Sequence, residues 1–443
     1  MEQNRTTAVR KERVLLVGVL PQDTPDHTEM VDEIGALAES AGAIVVDSLV
    51  QRRDRPDPST YIGKGKLEEL SQLCVETKAD TVVFDVDLSP AQVRNIEKCL
   101  DRKVIDRTEL ILDIFAARAR TREARLEVEL AQLEYTFPRL RRMWTHLDTV
   151  AGGMMGGIGG GIGTRGPGER QIETDRRLVR RRIRDLKRQL DVIGARRRRL
   201  VASRRDEATA CLVGYTNAGK STLMNALTSA GVYVADKLFA TLDTRTRVCE
   251  LGDHSRLLLS DTVGFIRRLP HHLVASFRAT LEEARQADVL LHVVDASAPD
   301  AEEQIEAVRE VLADLELSDR PEILVLNKID QALDPDRLVR LRQEHTRHVC
   351  VSAATGEGLD ALRARIRDFV RSGSVRLEVR FSPANGKLQS YLEEHAQVID
   401  RDYSPEEVVF AASVSRQRLE QIRRLGGEIV SDDPAAAATR EDE

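Results

Sequence analysis

Apolar and polar residues alternate with two different periods along the first quarter of the chain. Short apolar runs that are typical of buried strands occur at 13–20, 43–50, 81–86 and 103–106. Stretches with apolar residues at helical spacing separate these runs, at 27–41, 64–77 and 90–100. Buried strands that alternate with helices indicate a parallel sheet covered by helices. We therefore predict an N-terminal α/β domain over residues 1–107.

Residues 108–205 follow the heptad spacing of paired helices instead. One apolar seam covers 110–135 and a second covers 179–193. Pro138 should break or kink the first helix. The stretch 152–168, GGMMGGIGGGIGTRGPG, is too rich in glycine for a regular element to hold it without outside contacts. The pattern predicts a long antiparallel helical hairpin that carries a glycine-rich loop.

Beyond the hairpin, buried strands again alternate with helices over residues 206–372, which predicts a second α/β domain. Residues 373–430 show strand and helix patterns of a small α+β domain without a chemical motif. This domain would contact a partner or pack on the domain before it. The tail, 431–443, contains mainly alanines and charged residues and is predicted to be disordered.

Composition limits the class of protein. The 443 residues are 41% hydrophobic and 32% charged, with a net charge of −6. The five cysteines are scattered, which favours reduced thiols over disulfides or zinc ligands. No apolar run approaches the roughly 18–20 residues of a membrane span, and the polar N-terminus lacks a signal sequence. We expect a cytoplasmic protein with no membrane span.

The second helix of the predicted hairpin is strongly basic. Residues 176–205 contain thirteen arginines and one lysine against two aspartates, a net charge of +12. A solvated helix face usually mixes charge signs, and this one barely does. We therefore predict that it binds a polyanion, with Arg180, Arg181 and Arg184 as candidate RNA contacts. A solvated coiled-coil face is the alternative.

A glycine-lysine turn, YIGKGK, opens a predicted helix in the N-terminal domain. Its lysines, Lys64 and Lys66, could contact a phosphate or an RNA backbone. Because the turn lacks the full spacing of a phosphate loop, a tight turn with exposed lysines remains the alternative.

A full phosphate-loop pattern, G-x-x-x-x-G-K-S, follows the buried run ACLV and precedes a helix. Glycines let backbone N–H groups curl around a polyphosphate, and the helix N-terminus adds its positive dipole end. Lys220 would reach the β- and γ-phosphates as a catalytic group, and Ser221 would bind Mg²⁺. The predicted nucleotide contacts are Gly214, Tyr215, Thr216, Asn217, Ala218, Gly219, Lys220, Ser221 and Thr222.

Two later segments supply candidate metal and γ-phosphate groups. Thr241, in FATLD, could cap Mg²⁺ and sense the γ-phosphate, and it could also be an ordinary loop threonine. Asp261 ends a predicted strand and would hold a magnesium-bound water, while the Gly264 N–H would meet the γ-phosphate. We predict Mg²⁺ bound by Ser221, Thr241 and Asp261, with Lys220, Thr241 and Gly264 as the catalytic set.

The sequence NKID, Asn327 to Asp330, selects the base. A carboxylate at Asp330 can accept hydrogen bonds from N1–H and the 2-amino group of guanine, both of which adenine lacks. Two charge-assisted bonds give a discrimination of roughly 10²–10⁴. The predicted guanine contacts also include Lys328, which packs along the base or the phosphate loop, and Ser352, Ala353 and Ala354, which follow a later strand.

These motifs occur in the order of a GTPase domain, and with YIGKGK, GIGTRGPGE, FATLD and DTVGF the chain resembles the HflX family of ribosome-associated GTPases. The resemblance covers about residues 13–371. It implies GTP and GDP as ligands and binding to the large ribosomal subunit, with the glycine loop and basic arm on its RNA. Arg165 and Arg170 then join the RNA-contact candidates.

Four residues depart from the family pattern or from Ras-like proteins. Arg170 and Ile172 stand where the family commonly has threonine and leucine, and Arg170 adds a positive charge. Thr244 stands where proline is usual, which could loosen the segment carrying Thr241. Phe265 occupies the position of the water-orienting glutamine of Ras-like proteins. An apolar ring cannot polarise water, so we expect slow intrinsic hydrolysis that a bound partner stimulates.

The sequence therefore predicts a monomeric GTPase that the large ribosomal subunit stimulates and that splits or rescues ribosomes under stress. Two alternatives remain at this point. One is a GTP-dependent switch acting on a protein or membrane-bound partner. The other is an RNA-remodelling module that also hydrolyses ATP, as a second nucleotide, through Lys64 and Lys66.

Overall fold

The computed structural model describes residues 11–22, 28–143, 167–202, 208–228, 238–239, 245–252, 255–267, 283–332, 334–345, 347–372, 374–415 and 418–431. Predictions for Arg165, Thr241, Thr244, most of the glycine-rich loop and the tail lie outside these residues. The described residues form two compact units. The N-terminal unit contains those up to Ile193 together with Leu238 and Phe239, and the second unit contains the rest.

A four-stranded parallel sheet forms the centre of the N-terminal unit, with the strand order β2-β1-β3-β4. Its strands are β1 (Arg13–Leu20), β2 (Ile44–Arg52), β3 (Thr81–Phe84) and β4 (Lys103–Asp106). Its first three helices are α1 (Thr28–Ser40), α2 (Lys64–Thr77) and α3 (Pro90–Leu100). Apolar side chains of β1 and β3 pack with those of α2 and α3 in one core, as near-continuous apolar strands require.

Three further helices continue the N-terminal unit: α4 (Arg107–Arg118), α5 (Arg122–Met143) and α6 (Pro167–Ala202), the last of which ends in the second unit. The first seam is therefore not one helix. The chain leaves helical geometry at Ala119, and the Thr121 hydroxyl then accepts the Ala124 N–H at 3.1 Å to start α5. Pro138 lies inside α5, so of the predicted break or kink the break does not occur.

Helices α5 and α6 pack along an apolar seam of Leu126, Leu130 and Leu186. Ion pairs flank the seam. The Arg182 guanidinium donates to both carboxylate oxygens of Glu129, at 2.6 and 2.7 Å. Lys187 Nζ lies 2.8 Å from an oxygen of Glu134. The basic helix is thus partly neutralised across the hairpin, by glutamates that the charge count over its own residues did not include.

A six-stranded sheet with the order β10-β9-β8-β5-β7-β6 forms the centre of the second unit. Only β6 is antiparallel to its neighbour among the described pairs. The strands are β5 (Ala208–Gly214), β6 (Arg245–Gly252), β7 (Ser255–Asp261), β8 (Val289–Asp295), β9 (Glu322–Asn327) and β10 (His348–Cys350). The helices are α7 (Lys220–Thr228), α8 (Ala301–Asp314), α9 (Pro335–Glu344) and α10 (Leu359–Ser372).

The described residues from Ser374 onward form a four-stranded antiparallel sheet with helices, its strands ordered β12-β13-β11-β14. Its elements are β11 (Ser374–Phe381), α11 (Gly386–His395), β12 (Gln397–Tyr403), β13 (Val408–Ser415), α12 (Leu419–Arg424) and β14 (Glu428–Ser431). The sequence pattern missed β12 because its residues, QVIDRDY, are mostly polar. This strand lies at the edge of the sheet and buries little, so it carries no alternating signal.

Candidate nucleotide-binding site

The phosphate loop leaves the interior of the six-stranded sheet, where β5 lies between β7 and β8. Its two glycines are required by the backbone. At Gly214 φ is +149°, and a Cβ would lie 2.2 Å from the Val293 carbonyl oxygen. At Gly219 φ is +91°, and a Cβ would meet the Asn327 side chain at 2.3 Å. Asn217 adopts φ +62°, which asparagine tolerates. The loop therefore has the tight course that a polyphosphate cradle needs.

Lys220 begins helix α7 and is buried, with 6% of its surface exposed. Its Nζ donates to the carbonyl oxygens of Gly214 and Tyr215, at 3.0 and 2.7 Å. Burial lowers the pKa of the Lys220 ammonium to about 8. A phosphate next to this group would supply the negative charge that stabilises its protonated form.

Ser221 and Asp261 meet where the predicted metal would bind. The Ser221 hydroxyl donates to one Asp261 oxygen, Oδ2, at 2.6 Å. The other oxygen, Oδ1, is buried and has no hydrogen-bond partner in the part of the chain that the structure describes. Burial also raises the pKa of this carboxyl group. A hydrated Mg²⁺ would satisfy the lone oxygen and favour the carboxylate form, and hydroxyl and carboxylate oxygens are ligands that Mg²⁺ prefers.

The described residues hold no group of three or more His, Cys, Asp and Glu that could bind a metal ion. A cation at Ser221 and Asp261 would therefore need ligands from outside these residues. Nucleotide phosphates and water commonly supply them to Mg²⁺.

Gly264 lies against the phosphate loop. A Cβ here would be 2.7 Å from the Thr216 Cα and 2.9 Å from Lys220 Nζ. The next residue, Phe265, is bonded to the loop through its backbone: its N–H donates to the Gly214 oxygen at 3.0 Å, and its oxygen accepts from the Thr216 N–H at 2.7 Å. The Phe265 ring is buried. The position next to Gly264 thus offers no polar side chain that could orient water.

Sequence reasoning missed Arg267, which follows Gly264 and Phe265 in the chain and holds the end of their segment in place. The Arg267 N–H donates to the Tyr215 hydroxyl at 2.9 Å, and its guanidinium pairs with Asp300 at 2.8 Å. Loop residues beside a D-x-x-G motif give no local signal of such a partner, because Asp300 lies on a distant part of the chain.

Asn327, at the end of β9, connects the phosphate loop to the loop that follows β10. Its Nδ2 donates to the Ala218 oxygen in the phosphate loop at 2.9 Å, and its Oδ1 accepts from the Ala353 N–H at 3.0 Å. The side chain is 1% exposed. The sequence predicted a nucleotide contact here; in the structure both polar atoms of the side chain bond to the protein.

Replacing Asn327 by alanine is expected to destabilise the second unit by about 2–4 kcal/mol, because the buried Ala218 oxygen and the partly buried Ala353 N–H lose their partner. We also expect weaker binding of both GTP and GDP. Asn385→Ala is the matched control, since it removes two similar bonds from the C-terminal sheet domain. Thermal unfolding and nucleotide titration of both variants test this: equal losses of affinity would contradict the connecting role.

Asp330 and Lys328 occupy different environments. Asp330 lies in the 3₁₀ turn Ile329–Gln331, and its exposed carboxylate has no partner among the described residues. Lys328 adopts φ +60°, and its ammonium pairs with Asp295 at 2.6 Å. Asp295, at the end of β8, was also missed from the sequence. The ion pair with Asp295 holds the Lys328 side chain in place. The Asp330 carboxylate makes no such pair among the described residues and keeps both oxygens as available acceptors.

The loop after β10 presents the other predicted base contacts. The Ser352 N–H donates to the Glu357 oxygen, and the Ala353 N–H donates to Asn327. The Ala354 N–H donates to no acceptor among the described residues. Of these three backbone donors, Ala354 has the one that remains available to a guanine oxygen.

The remaining candidates lie in the N-terminal unit. Lys66 Nζ pairs with Glu69 at 2.9 Å, and Lys64 is exposed at the start of α2. The turn before them has no feature that indicates a nucleotide site, so the structure gives no support to the hypothesis of ATP hydrolysis.

Arg180, Arg181 and Arg184 are exposed on α6, and the Arg180 guanidinium lies over the Phe137 ring. The side chain of Arg170 lies outside the described residues.

Known proteins match this chain along most of its length. Family models match residues 28–116 (GTP-binding GTPase N-terminal), 118–204 (GTP-binding GTPase Middle Region) and 209–328 (50S ribosome-binding GTPase). The GTPase HflX of Lacrimispora saccharolytica is 46% identical over 409 residues, which cover 91% of this chain and 94% of that protein. This chain belongs to the HflX family of GTPases. The GTPase HflX of Escherichia coli is 43% identical over 399 residues, 89% of this chain and 91% of that protein.

Family membership confirms the predicted GTPase fold and the hydrolysis of GTP by this HflX-family chain. Among solved structures, a GTP-binding protein from Sulfolobus solfataricus in complex with GDP covers 80% of this chain and 97% of its own. It is 24% identical with a TM-score of 0.41, a likeness too distant to bear on function. None of the helices within the described residues is long and apolar enough to cross a membrane.

Proposed function

We propose that this HflX-family GTPase binds GTP and GDP with Mg²⁺ and hydrolyses GTP slowly until it associates with the large ribosomal subunit. Its nucleotide state would then control how long it stays on the ribosome, or whether the subunits separate, chiefly under stress. The family model that matches its GTPase domain carries the description 50S ribosome-binding GTPase, in agreement with this partner.

The observation that carries the proposal is the row of exposed arginines on α6. Glu129 and Glu134 of α5 pair with Arg182 and Lys187 across the hairpin. The exposed side chains of Arg177, Arg184, Arg188 and Arg196 form no ion pair among the described residues. A polyphosphate backbone would satisfy these charges, and arginine suits it because its guanidinium binds phosphate in a fork. Ribosomal RNA is the polyanion that agrees with the family description.

The chain's own residues would position the phosphates and stabilise their charge. Lys220 and the backbone N–H groups of the phosphate loop would bind the β- and γ-phosphates, and the Gly264 N–H would meet the γ-phosphate. Ser221, Asp261 and Thr241 would hold Mg²⁺, which when bound neutralises charge between the phosphates. Asp330 would select guanine.

Slow intrinsic hydrolysis follows from Phe265. Its ring is buried and its backbone is bonded to the phosphate loop, so the residue after Gly264 cannot orient a water. A group from the bound partner, or a rearranged segment, would have to do so.

Charge reversal on α6 is expected to reduce activation by ribosomes. In Arg181→Glu/Arg184→Glu, GTP hydrolysis stimulated by isolated large subunits should weaken at physiological salt, and the slope of log affinity against log salt should fall by about 2. Hydrolysis without ribosomes should stay the same. The measurement is steady-state hydrolysis with and without large subunits at several salt concentrations.

The matched control is Arg376→Glu/Arg380→Glu, which makes the same change of charge on exposed arginines of β11. Equal effects of both double variants would attribute the loss to net charge rather than to α6. A hydrolysis rate that large subunits leave unchanged, with normal GTP binding, would refute the ribosome proposal and favour a protein partner.

A further inference from the structure

Gly264 is a buried residue whose backbone N–H donates to no acceptor in the part of the chain that the structure describes. Buried N–H groups are nearly always hydrogen-bonded, so this one calls for a partner from outside that part. The Lys220 ammonium lies close to it, because a Cβ at Gly264 would be 2.9 Å from Lys220 Nζ. A ligand with negatively charged oxygens could accept from both groups, as the γ-phosphate would in the proposed function.

Two side-chain anchors hold the segment on either side of Gly264. Before it, the buried Thr262 hydroxyl donates to the Leu212 oxygen of β5 at 2.7 Å. After it, the Arg267 N–H donates to the Tyr215 hydroxyl at 2.9 Å. Tyr215 belongs to the phosphate loop and is 6% exposed. The second anchor therefore joins the segment directly to the loop that would hold the phosphates.

The Arg267 side chain is held in turn by Asp300, which directly precedes α8. The guanidinium lies 2.8 Å from Asp300 Oδ2, and the other carboxylate oxygen accepts from the Gln304 amide at 3.0 Å. An aspartate at this position usually caps the first N–H groups of its helix, but the Asp300 carboxylate makes no capping bond. Its oxygens bind side chains instead, so the contact with Arg267 is part of the way α8 begins.

Backbone and side chains make different contributions to the position of Gly264. The backbone of Phe265 bonds to the loop on either side of Tyr215, at the Gly214 oxygen and the Thr216 N–H. Those two bonds do not depend on which side chains are present, whereas the anchor after Gly264 requires the Tyr215 hydroxyl. A donor to a developing charge acts only at the correct distance, so a small displacement lowers the rate more than it lowers binding.

We propose that Tyr215 and Arg267 are positioning residues for GTP hydrolysis, whose hydrogen bond holds the Gly264 N–H at the γ-phosphate. The proposal rests on the γ-phosphate contact given to Gly264 in the proposed function. Neither side chain touches a reacting atom: Tyr215 joins the segment to the phosphate loop, and Asp300 keeps the Arg267 side chain in place. Because GDP has no γ-phosphate, the anchor sets the rate of hydrolysis and leaves the affinity for GDP nearly unchanged.

Tyr215→Phe removes the hydroxyl and keeps the buried ring. Its single-turnover rate at saturating GTP, without ribosomes, should fall about 3–10-fold, the value of one neutral hydrogen bond. Arg267→Ala should lower the rate by a similar factor, and Arg267→Lys, whose ammonium can still pair with Asp300, should restore most of it. In Tyr215→Phe/Arg267→Ala the two losses should not multiply, because both variants release the same anchor. Affinities for GTP and GDP should stay within about twofold.

Two matched variants remove the same groups elsewhere. Tyr135→Phe removes a hydroxyl bonded to Asp106 from a tyrosine of the N-terminal unit that is also 6% exposed. Arg285→Ala breaks an arginine–carboxylate pair, with Glu316 at 3.2 Å, in the same unit as Arg267. Both should leave the hydrolysis rate unchanged, whatever they cost in melting temperature. An equal loss of rate in either control would attribute the effect to general destabilisation and overturn the proposal.

Gly264→Ala separates the inference from the function on which it rests. Slow hydrolysis by both Gly264→Ala and Tyr215→Phe, with normal GDP binding, supports both. If Gly264→Ala is slow but Tyr215→Phe hydrolyses GTP as the wild type does, the anchor is not required and the inference fails, while the donor role of Gly264 stands. A Tyr215→Phe variant that loses affinity for GTP and GDP equally, at an unchanged rate, also overturns the inference, since the hydroxyl then supports the loop. Normal hydrolysis by Gly264→Ala removes the donor role and the inference with it.

Discussion

Asp330→Asn is expected to move the nucleotide preference of this GTPase from guanine toward xanthine. The Asp330 carboxylate is exposed in its 3₁₀ turn and has no partner among the described residues, so both oxygens can accept from N1–H and the 2-amino group of guanine. An asparagine amide retains one acceptor but places an N–H₂ group opposite the guanine donors. Affinity for GTP should fall by roughly 10²–10⁴, and xanthosine triphosphate, which has a carbonyl in place of the 2-amino group, should bind more tightly than GTP.

Competition binding with GTP and xanthosine triphosphate measures the shift. Asp336→Asn provides the control, because Asp336 is an exposed aspartate in the first turn of α9, close in sequence but outside the NKID motif. It should leave both affinities unchanged. If Asp330→Asn lowered both affinities equally, the residue would support the loop rather than select the base.

Gly264→Ala is expected to lower GTP hydrolysis by about 100-fold, the cost of losing one donor to a developing charge. The added methyl group would lie 2.7 Å from the Thr216 Cα and 2.9 Å from Lys220 Nζ. Either Gly264 moves away from the phosphate loop, which removes its N–H from the γ-phosphate, or Lys220 shifts. Binding of GDP should change much less, since the displaced N–H faces the γ-phosphate in the proposed mechanism.

Single-turnover hydrolysis and GDP titration distinguish these effects. Gly65→Ala is the control glycine variant, because a Cβ at Gly65 has no atom within 4 Å. It should fold and hydrolyse GTP as the wild type does. Normal hydrolysis by Gly264→Ala would show that the segment moves without cost, and that the close approach of Gly264 to the loop is not required for the reaction.

The phosphate loop was predictable because its chemistry is local. Gly214 and Gly219 meet backbone and side-chain atoms that exclude any Cβ, and Lys220 starts a helix directly after a buried strand. Such residues stand at fixed offsets in the sequence, so a short pattern contains most of the geometry. The Asp330 turn was predictable for the same reason.

Contacts between distant segments could not be predicted in this way. Asn327 is predicted to contact the nucleotide, but no local signal showed that its side chain also connects Ala218 to Ala353, because neither partner is near it in the sequence. The break between α4 and α5 was also missed, because residues 119–121 interrupt the helix without interrupting the apolar spacing. Local patterns report which face of an element is buried, but not which other segment covers it.

Burial of Phe239 is the strongest example. The FATLD segment gave reason to expect a threonine near a metal, and nothing in its composition indicated that the preceding phenylalanine would be held by α1 and α4. Its partner, Phe115, precedes it by more than a hundred residues. Only the folded chain shows that the two are neighbours.

The apolar seam between α5 and α6 and the exposed arginines of α6 differ in how their interactions respond to salt. Leu126, Leu130 and Leu186 hold the helices together by apolar burial, which added salt does not weaken. The exposed arginines would bind a polyanion through charge, which salt screens. A rise in ionic strength would thus release the hairpin from a polyanion while leaving the two helices packed, so the protein could leave its partner without having to refold before the next encounter.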